Sequence, residues 1–119
     1  MKKFFALLLT GLVLVSSASA ATLFSPPLVA EGTHVLDCYL VNVSNQSRQV
    51  TIQVFGRDGQ VVHTVQTILD PGKEDVARTT SAQLGRYCKF IVDGKKSDFR
   101  GSILVRKKGI GAISALPAN

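Results

Sequence analysis

The side chains that could do chemistry in this chain are few: two cysteines, two histidines and eight acidic residues among 119. A hydrolytic reading would make His34 or His63 a general base, oriented by Asp37 or Asp70 and acting on a serine. No glycine-elbow serine motif accompanies either histidine, and such a site needs all three groups to converge. A blue-copper centre needs a thiolate, two histidines and usually a weak axial methionine. His34 and Cys38 could share a strand face, but the one methionine is Met1 and no histidine follows Cys88. Glu74 and Asp75 are adjacent, so on a strand they point to opposite faces and make no acid/base pair. No calcium loop of alternating Asp and Asn is present. The expectation is a protein that is not an enzyme, with no catalytic residue, no metal and no cofactor.

That leaves the cysteines. Met1-Lys2-Lys3, the apolar run Phe4 to Val15 and the small-x-small pattern Ala18-Ser19-Ala20 read as a bacterial secretory signal peptide over residues 1–20. The apolar run is shorter than the roughly 20 residues a bilayer-spanning helix requires. The mature chain is then residues 21–119, a single β-sandwich domain with no transmembrane segment, exported to the periplasm or beyond. Two cysteines in an exported chain point to one disulfide, Cys38 to Cys88. Closing a loop of about 50 residues stabilises by about 4 kcal/mol at most on the chain-entropy model. Asn42-Val43-Ser44 and Asn45-Gln46-Ser47 match the glycosylation sequon, which matters only in a eukaryotic host.

The formal charge is +6, of which Lys2 and Lys3 supply two and leave with the signal peptide. The remaining surplus is concentrated late in the chain. Arg86, Lys89, Lys95, Lys96, Arg100, Arg106, Lys107 and Lys108 face only Asp93 and Asp98 there. Lys89 and Arg100 are expected outward on neighbouring strands, with Lys95 and Lys96 at one end of the sandwich and Arg106 to Lys108 at the other. Lys89, Lys95, Lys96, Arg100, Arg106, Lys107 and Lys108 are therefore the candidate residues for a polyanion, such as an envelope phosphate polymer or an acidic partner protein. The competing reading is a solvated face with lysines guarding a sheet edge. An exported chain has no routine access to nucleic acid, and none is expected as a partner.

The elements that position these residues are strands. In His34 to Val43, Leu36, Cys38 and Leu40 share one face, while Asp37 and Tyr39 take the other. Tyr87 to Val92 repeats the pattern, with Cys88, Phe90 and Val92 on one face and Lys89 away. Each strand offers a cysteine from its apolar face, so the two can meet across a sandwich core. Ala21 to Val29 carries Pro26-Pro27 and can only be an edge strand or an extended arm. Arg48 to Phe55 alternates most clearly, with Val50, Ile52 and Val54 inward. Gln60 to Leu69 is looser, with an expected inward set of Val61, Val65 and Leu69. Asp75 to Thr80 is a short strand. Ser97 to Arg106 puts Phe99, Gly101, Ile103 and Val105 on one side, and Gly101 there permits close approach or marks a bulge. Ala112 to Leu116 forms a last strand, stopped by Pro117.

Between the strands, Asn42 to Gln46, Gly56-Arg57-Asp58-Gly59, Asp70-Pro71-Gly72-Lys73 and Asp93-Gly94 are turn signals, the second and fourth as hairpins. Gln83-Leu84-Gly85 could form one helical turn. About seven to eight short strands at a spacing of roughly 8 to 12 residues predict an all-β antiparallel sandwich.

Two inward cysteines about 50 residues apart, with hairpins between, resemble the immunoglobulin and fibronectin type III superfold. The chain has no tryptophan, and Tyr87 stands directly before Cys88 where a tyrosine corner places it two residues before. The mature chain is also similar to small exported bacterial β-sandwich proteins of uncharacterised function. Ser25-Pro26-Pro27, Cys38 to Asn42, Asp58-Gly59, Pro71-Gly72, Tyr87 to Phe90 and Pro117-Ala118 carry that likeness, which implies the fold and no functional residue. The functional expectation is a non-enzymatic exported binding or structural module of unknown partner. One alternative is a polyanion or envelope-surface binder working through residues 86–108. Another is an accessory or inhibitor module inserting Ser81 to Arg86 or Arg106 to Gly111 into a partner. A pilin-like subunit is a poorer fit, because a proline-interrupted Ala21 to Val29 makes a weak donor strand.

Overall fold

The computed structural model describes residues 20–29, 34–80, 85–107 and 111–119, with the side chains of 111–113 excepted. The expected signal peptide, apart from Ala20, lies outside the described residues, as do Gln83-Leu84 and Lys108. The strands are β1 (Ala20–Phe24), β2 (His34–Asn42), β3 (Arg48–Phe55), β4 (Val61–Leu69), β5 (Glu74–Thr80), β6 (Tyr87–Asp93), β7 (Phe99–Lys107) and β8 (Gly111–Pro117). A single 3-10 turn, Lys96–Asp98, precedes β7. The first sheet has the order β1-β6-β3-β4 and the second β5-β2-β7-β8, and every pairing is antiparallel.

Period-two alternation builds the core. Leu36, Cys38 and Leu40 from β2 face Val50, Ile52 and Val54 from β3 and Cys88, Phe90 and Val92 from β6, and all are buried. Cys38 and Cys88 form the disulfide, with Cα atoms 5.7 Å apart, and it ties the two sheets through their interior strands. Gly101 confirms the expected close approach. A Cβ there would stand 3.0 Å from the Phe90 ring, so the missing side chain lets that ring lie against β7. The irregularity in β7 falls instead between Val105 and Arg106.

Two expectations are corrected. Asp93-Gly94 does not make a hairpin, since β6 and β7 lie in different sheets. Gly94 adopts φ +122°, and the Asp98 carboxylate accepts the Lys95 N–H at 3.1 Å and meets Arg48 at 3.5 Å. This carries the chain across to pair β7 with β2. Val61 is exposed rather than inward, because the β3–β4 register shifts between Val54 and Phe55 and skips Val62. Asp37 points away from the core as expected, yet it is completely buried.

Only β3–β4 and β7–β8 connect within a sheet; every other connection crosses between layers. The strand that follows the second cysteine strand therefore sits beside the first cysteine strand. In an immunoglobulin constant domain it would pair with the second. What stands is an all-β sandwich of two four-stranded antiparallel sheets with one disulfide between them.

Candidate binding surface

The outer face of the first sheet gathers aromatic and cationic side chains from β1, β3 and β6. Its origin is the alternation itself. When Val54 and Cys88 turn inward, Phe55 and Tyr87 must turn outward, and the register places them opposite one another. Their rings stack with centroids 5.1 Å apart and planes inclined by 10°. Phe24 on β1 is opposite Lys89 on β6. The Lys89 ammonium stands 5.9 Å from the Phe24 ring centre and 5.8 Å from that of Phe55, so one cation bridges two aromatic faces. Phe24 remains 49% exposed.

Beside this ridge lies an open groove of about 480 Å³, lined by Gly56, Arg57, Asp58, Val62 and Arg86. The β3–β4 hairpin shapes one wall: the Gly56 N–H donates to the Gln60 carbonyl at 2.8 Å, and Gly59 takes φ +81°. Asp58 is turned back on its own loop, accepting the Gln60 N–H at 3.1 Å. On the other side, Arg86 and Leu28 exchange two backbone hydrogen bonds at 2.9 Å, which fixes the start of β6 against the proline-containing arm. The ridge of one ammonium and three aromatic rings thus lies beside a groove lined by Arg57 and Arg86.

Among the described residues, the candidate polyanion residues lie on different strands and at both ends of the sandwich. Lys89 is on the first sheet and Arg100 on the second, on strands that are not neighbours. Lys95 and Lys96 follow Asp93, at the end of the sandwich away from Tyr87. Lys107 is at the opposite end, paired in register with His34. Lys108 is outside the described residues. Arg106 is already engaged: its Nε donates to Asp37 Oδ2 at 2.6 Å.

That bond belongs to an ionic cluster on the outer face of the second sheet. Asp37 also accepts from Arg78, Nε to Oδ1 at 2.8 Å and Nη2 to Oδ2 at 3.3 Å. Register explains it, since Asp37 is directly opposite Arg78 on β5, while Arg106 on β7 is opposite the neighbouring Val35. The arginines cover the carboxylate from both sides and remain partly exposed themselves. The hydrogen bond to Asp37 raises the Arg78 pKa above its ordinary value, against a smaller opposing effect of burial. The cluster keeps one net positive charge.

His34 is half-buried on β2 and His63 exposed on β4, in different sheets. Among the described residues no group of three or more His, Cys, Asp or Glu side chains is placed to hold a metal ion, and no helix is long and apolar enough to cross a membrane. Asn42 of the first sequon is buried, and its amide donates to the Gln46 and Leu69 carbonyls at 2.8 Å each; Asn45 is exposed.

No family model matches the chain, and no curated protein matches it. Among solved structures, a structure from the Gt strain of infectious bursal disease virus gives a TM-score of 0.38 at 16% identity. That alignment covers 87% of this chain and 32% of the viral one, too loose a superposition to bear on the fold. The crystal structure of Thermotoga maritima 1070 superposes with a TM-score of 0.59 at 10% identity, over 82% of this chain and 91% of the other. The likeness is one of fold, and the fold is a β-sandwich.

Proposed function

We propose that this chain is an exported, non-enzymatic binding module that takes a phosphate-bearing envelope glycan on the outer face of its first sheet. One observation carries the reading: Lys89 held between the exposed Phe24 ring and Phe55, next to a groove flanked by Arg57 and Arg86. Aromatic faces accept the apolar faces of sugar rings, and the three cations suit phosphate. Export is supported by the Cys38–Cys88 bridge, a bond that persists in oxidising compartments. The sandwich and the bridge also fit the small exported bacterial β-sandwich proteins, with an immunoglobulin-like likeness restricted to the two-layer, cysteine-bridged plan.

Titration calorimetry with purified lipopolysaccharide tests the reading. Replacing Lys89, Arg57 and Arg86 together by Gln should weaken binding by roughly tenfold or more, and the wild-type affinity should fall steeply with salt. The control replaces Lys95 and Lys96, at the far end, and should change little. Equal losses in the two variants, or no binding by the wild type, would remove the proposal.

A further inference from the structure

We infer that the outer edge of β4 is a self-association surface, on which a second copy of the chain pairs antiparallel about Val65 to form a two-fold dimer. The inference is independent of the ligand assigned above.

Among the described residues β4 hydrogen-bonds to β3 alone and forms the end of the first sheet. Its sequence, VVHTVQTIL, is nine residues long, with no Lys, Arg, Asp or Glu and no proline. Val61, Val62 and Ile68 stand exposed at 48%, 45% and 66%. A long, uncharged, apolar edge is what proteins ordinarily avoid, because its free N–H and C=O groups template pairing. The other edges are managed. β5 presents the exposed charges of Glu74 and Arg78. β1 is short and covered at its Phe24 end by Asn119, which exchanges two backbone hydrogen bonds with Phe24 at 2.8 and 3.0 Å. β8 ends in Pro117. Among the described residues β4 has no charge, no proline and no covering segment, and its one irregularity is the bulge at Val62.

The occupant follows from the order of residues. An isologous contact requires a surface complementary to itself, each residue meeting its mirror position. Centred on Val65, β4 reads the same both ways in character: Thr64 meets Gln66, His63 meets Thr67, and the exposed Val62 meets the exposed Ile68, while Leu69 is buried in the core and takes no part. Apolar residues fall on apolar ones at both flanks, and polar on polar inside them. No like charges are brought together, because the strand has none. The bulge that skips Val62 sits at the strand's start, so the regular segment His63 to Leu69 contains the whole centre of the pairing. Thr64 and Gln66 lie on the outer face, opposite Gln53 and Thr51 of β3. The product is a continuous sheet, β1-β6-β3-β4 joined to its copy. The two Lys89 ridges would then open on the same side of that sheet.

The test is analytical ultracentrifugation of the full chain as it accumulates in its host, over a concentration series, with circular dichroism to verify folding. Wild type should be in monomer–dimer equilibrium. The pair T64K and Q66K places a lysine opposite a lysine twice across the two-fold axis, and should weaken association by roughly tenfold or more. The pair T64E and Q66K places a carboxylate opposite a lysine twice in the same register, and should dimerise at least as well as wild type. A wild type that is monomeric throughout would overturn the inference. So would an all-lysine variant that is folded and still dimeric. A folded charge-complementary variant that fails to dimerise would overturn the register about Val65.

Discussion

Asp37 shows how alternation can give a residue's direction without giving its burial. Alternation from Leu36, Cys38 and Leu40 assigns it to the outer face, where a carboxylate is ordinarily solvated. It is instead sealed beneath Arg78 and Arg106. Nothing local in the sequence announces this, since the three residues come together only through the β2–β5 and β2–β7 registers. Removing Asp37 leaves two like charges facing each other, whereas removing Arg78 leaves the carboxylate with Arg106. The expected order is therefore asymmetric. Asp37→Asn should cost about 2–3 kcal/mol, a figure reduced from that of a fully buried pair because both guanidinium groups reach water. Arg78→Gln should cost about 1 kcal/mol or less. Urea titration of the two variants measures the difference, and equal losses would mean that Arg106 does not hold Asp37 by itself. Because the Arg78 pKa is raised, its contribution is fully present below the ordinary guanidinium range and is lost only at still more alkaline pH.

At the scale of elements, strands were legible and their neighbours were not. Alternation located the cysteine strands and Arg48 to Phe55 closely, because one face of each is buried and a one-residue slip would turn every side chain over. The same rule already implied Phe55 and Tyr87 outward, so the aromatic ridge was within reach of the sequence once the inward sets were assigned. The pairing partner of β7 was not, because a hairpin signal at Asp93-Gly94 describes local backbone and not which sheet the next strand joins. The Asp98–Arg48 contact that accompanies the crossing is long-range. Gly101 lies between these levels: the residue was visible, while its reason is the Phe90 ring of the opposite sheet. Gly101→Ala should destabilise by about 1–3 kcal/mol, as overpacking does in a filled core, since the new methyl meets Phe90 at 3.0 Å and Ala118 at 3.1 Å. Adding Phe90→Leu should recover part of that loss if the contact with the ring is its cause. An unchanged denaturation midpoint in Gly101→Ala would mean the layers can separate freely at this point.

For the whole molecule, the brace between the layers decides stability. Most connections cross from sheet to sheet, so the layers cannot come apart without the chain unravelling. Within the core, Cys38–Cys88 is the one covalent bond between the sheets, and it closes a loop of 50 residues through interior strands of both. A long closed loop restricts the unfolded chain strongly, so the stabilisation arises mainly from entropy that the unfolded state loses. Replacing both cysteines by alanine should lower stability by about 2–4 kcal/mol, with the lower end expected if the unfolded chain is already compact. Single replacement should behave differently, because it leaves a lone thiol among apolar side chains that can pair with another molecule. The decisive comparison is the denaturant midpoint of the double variant against that of reduced wild type. Agreement between the two would assign the loss to the cross-link. A double variant much less stable than reduced wild type would instead assign it to the packing of the two sulfurs among Leu36, Leu40 and Phe90.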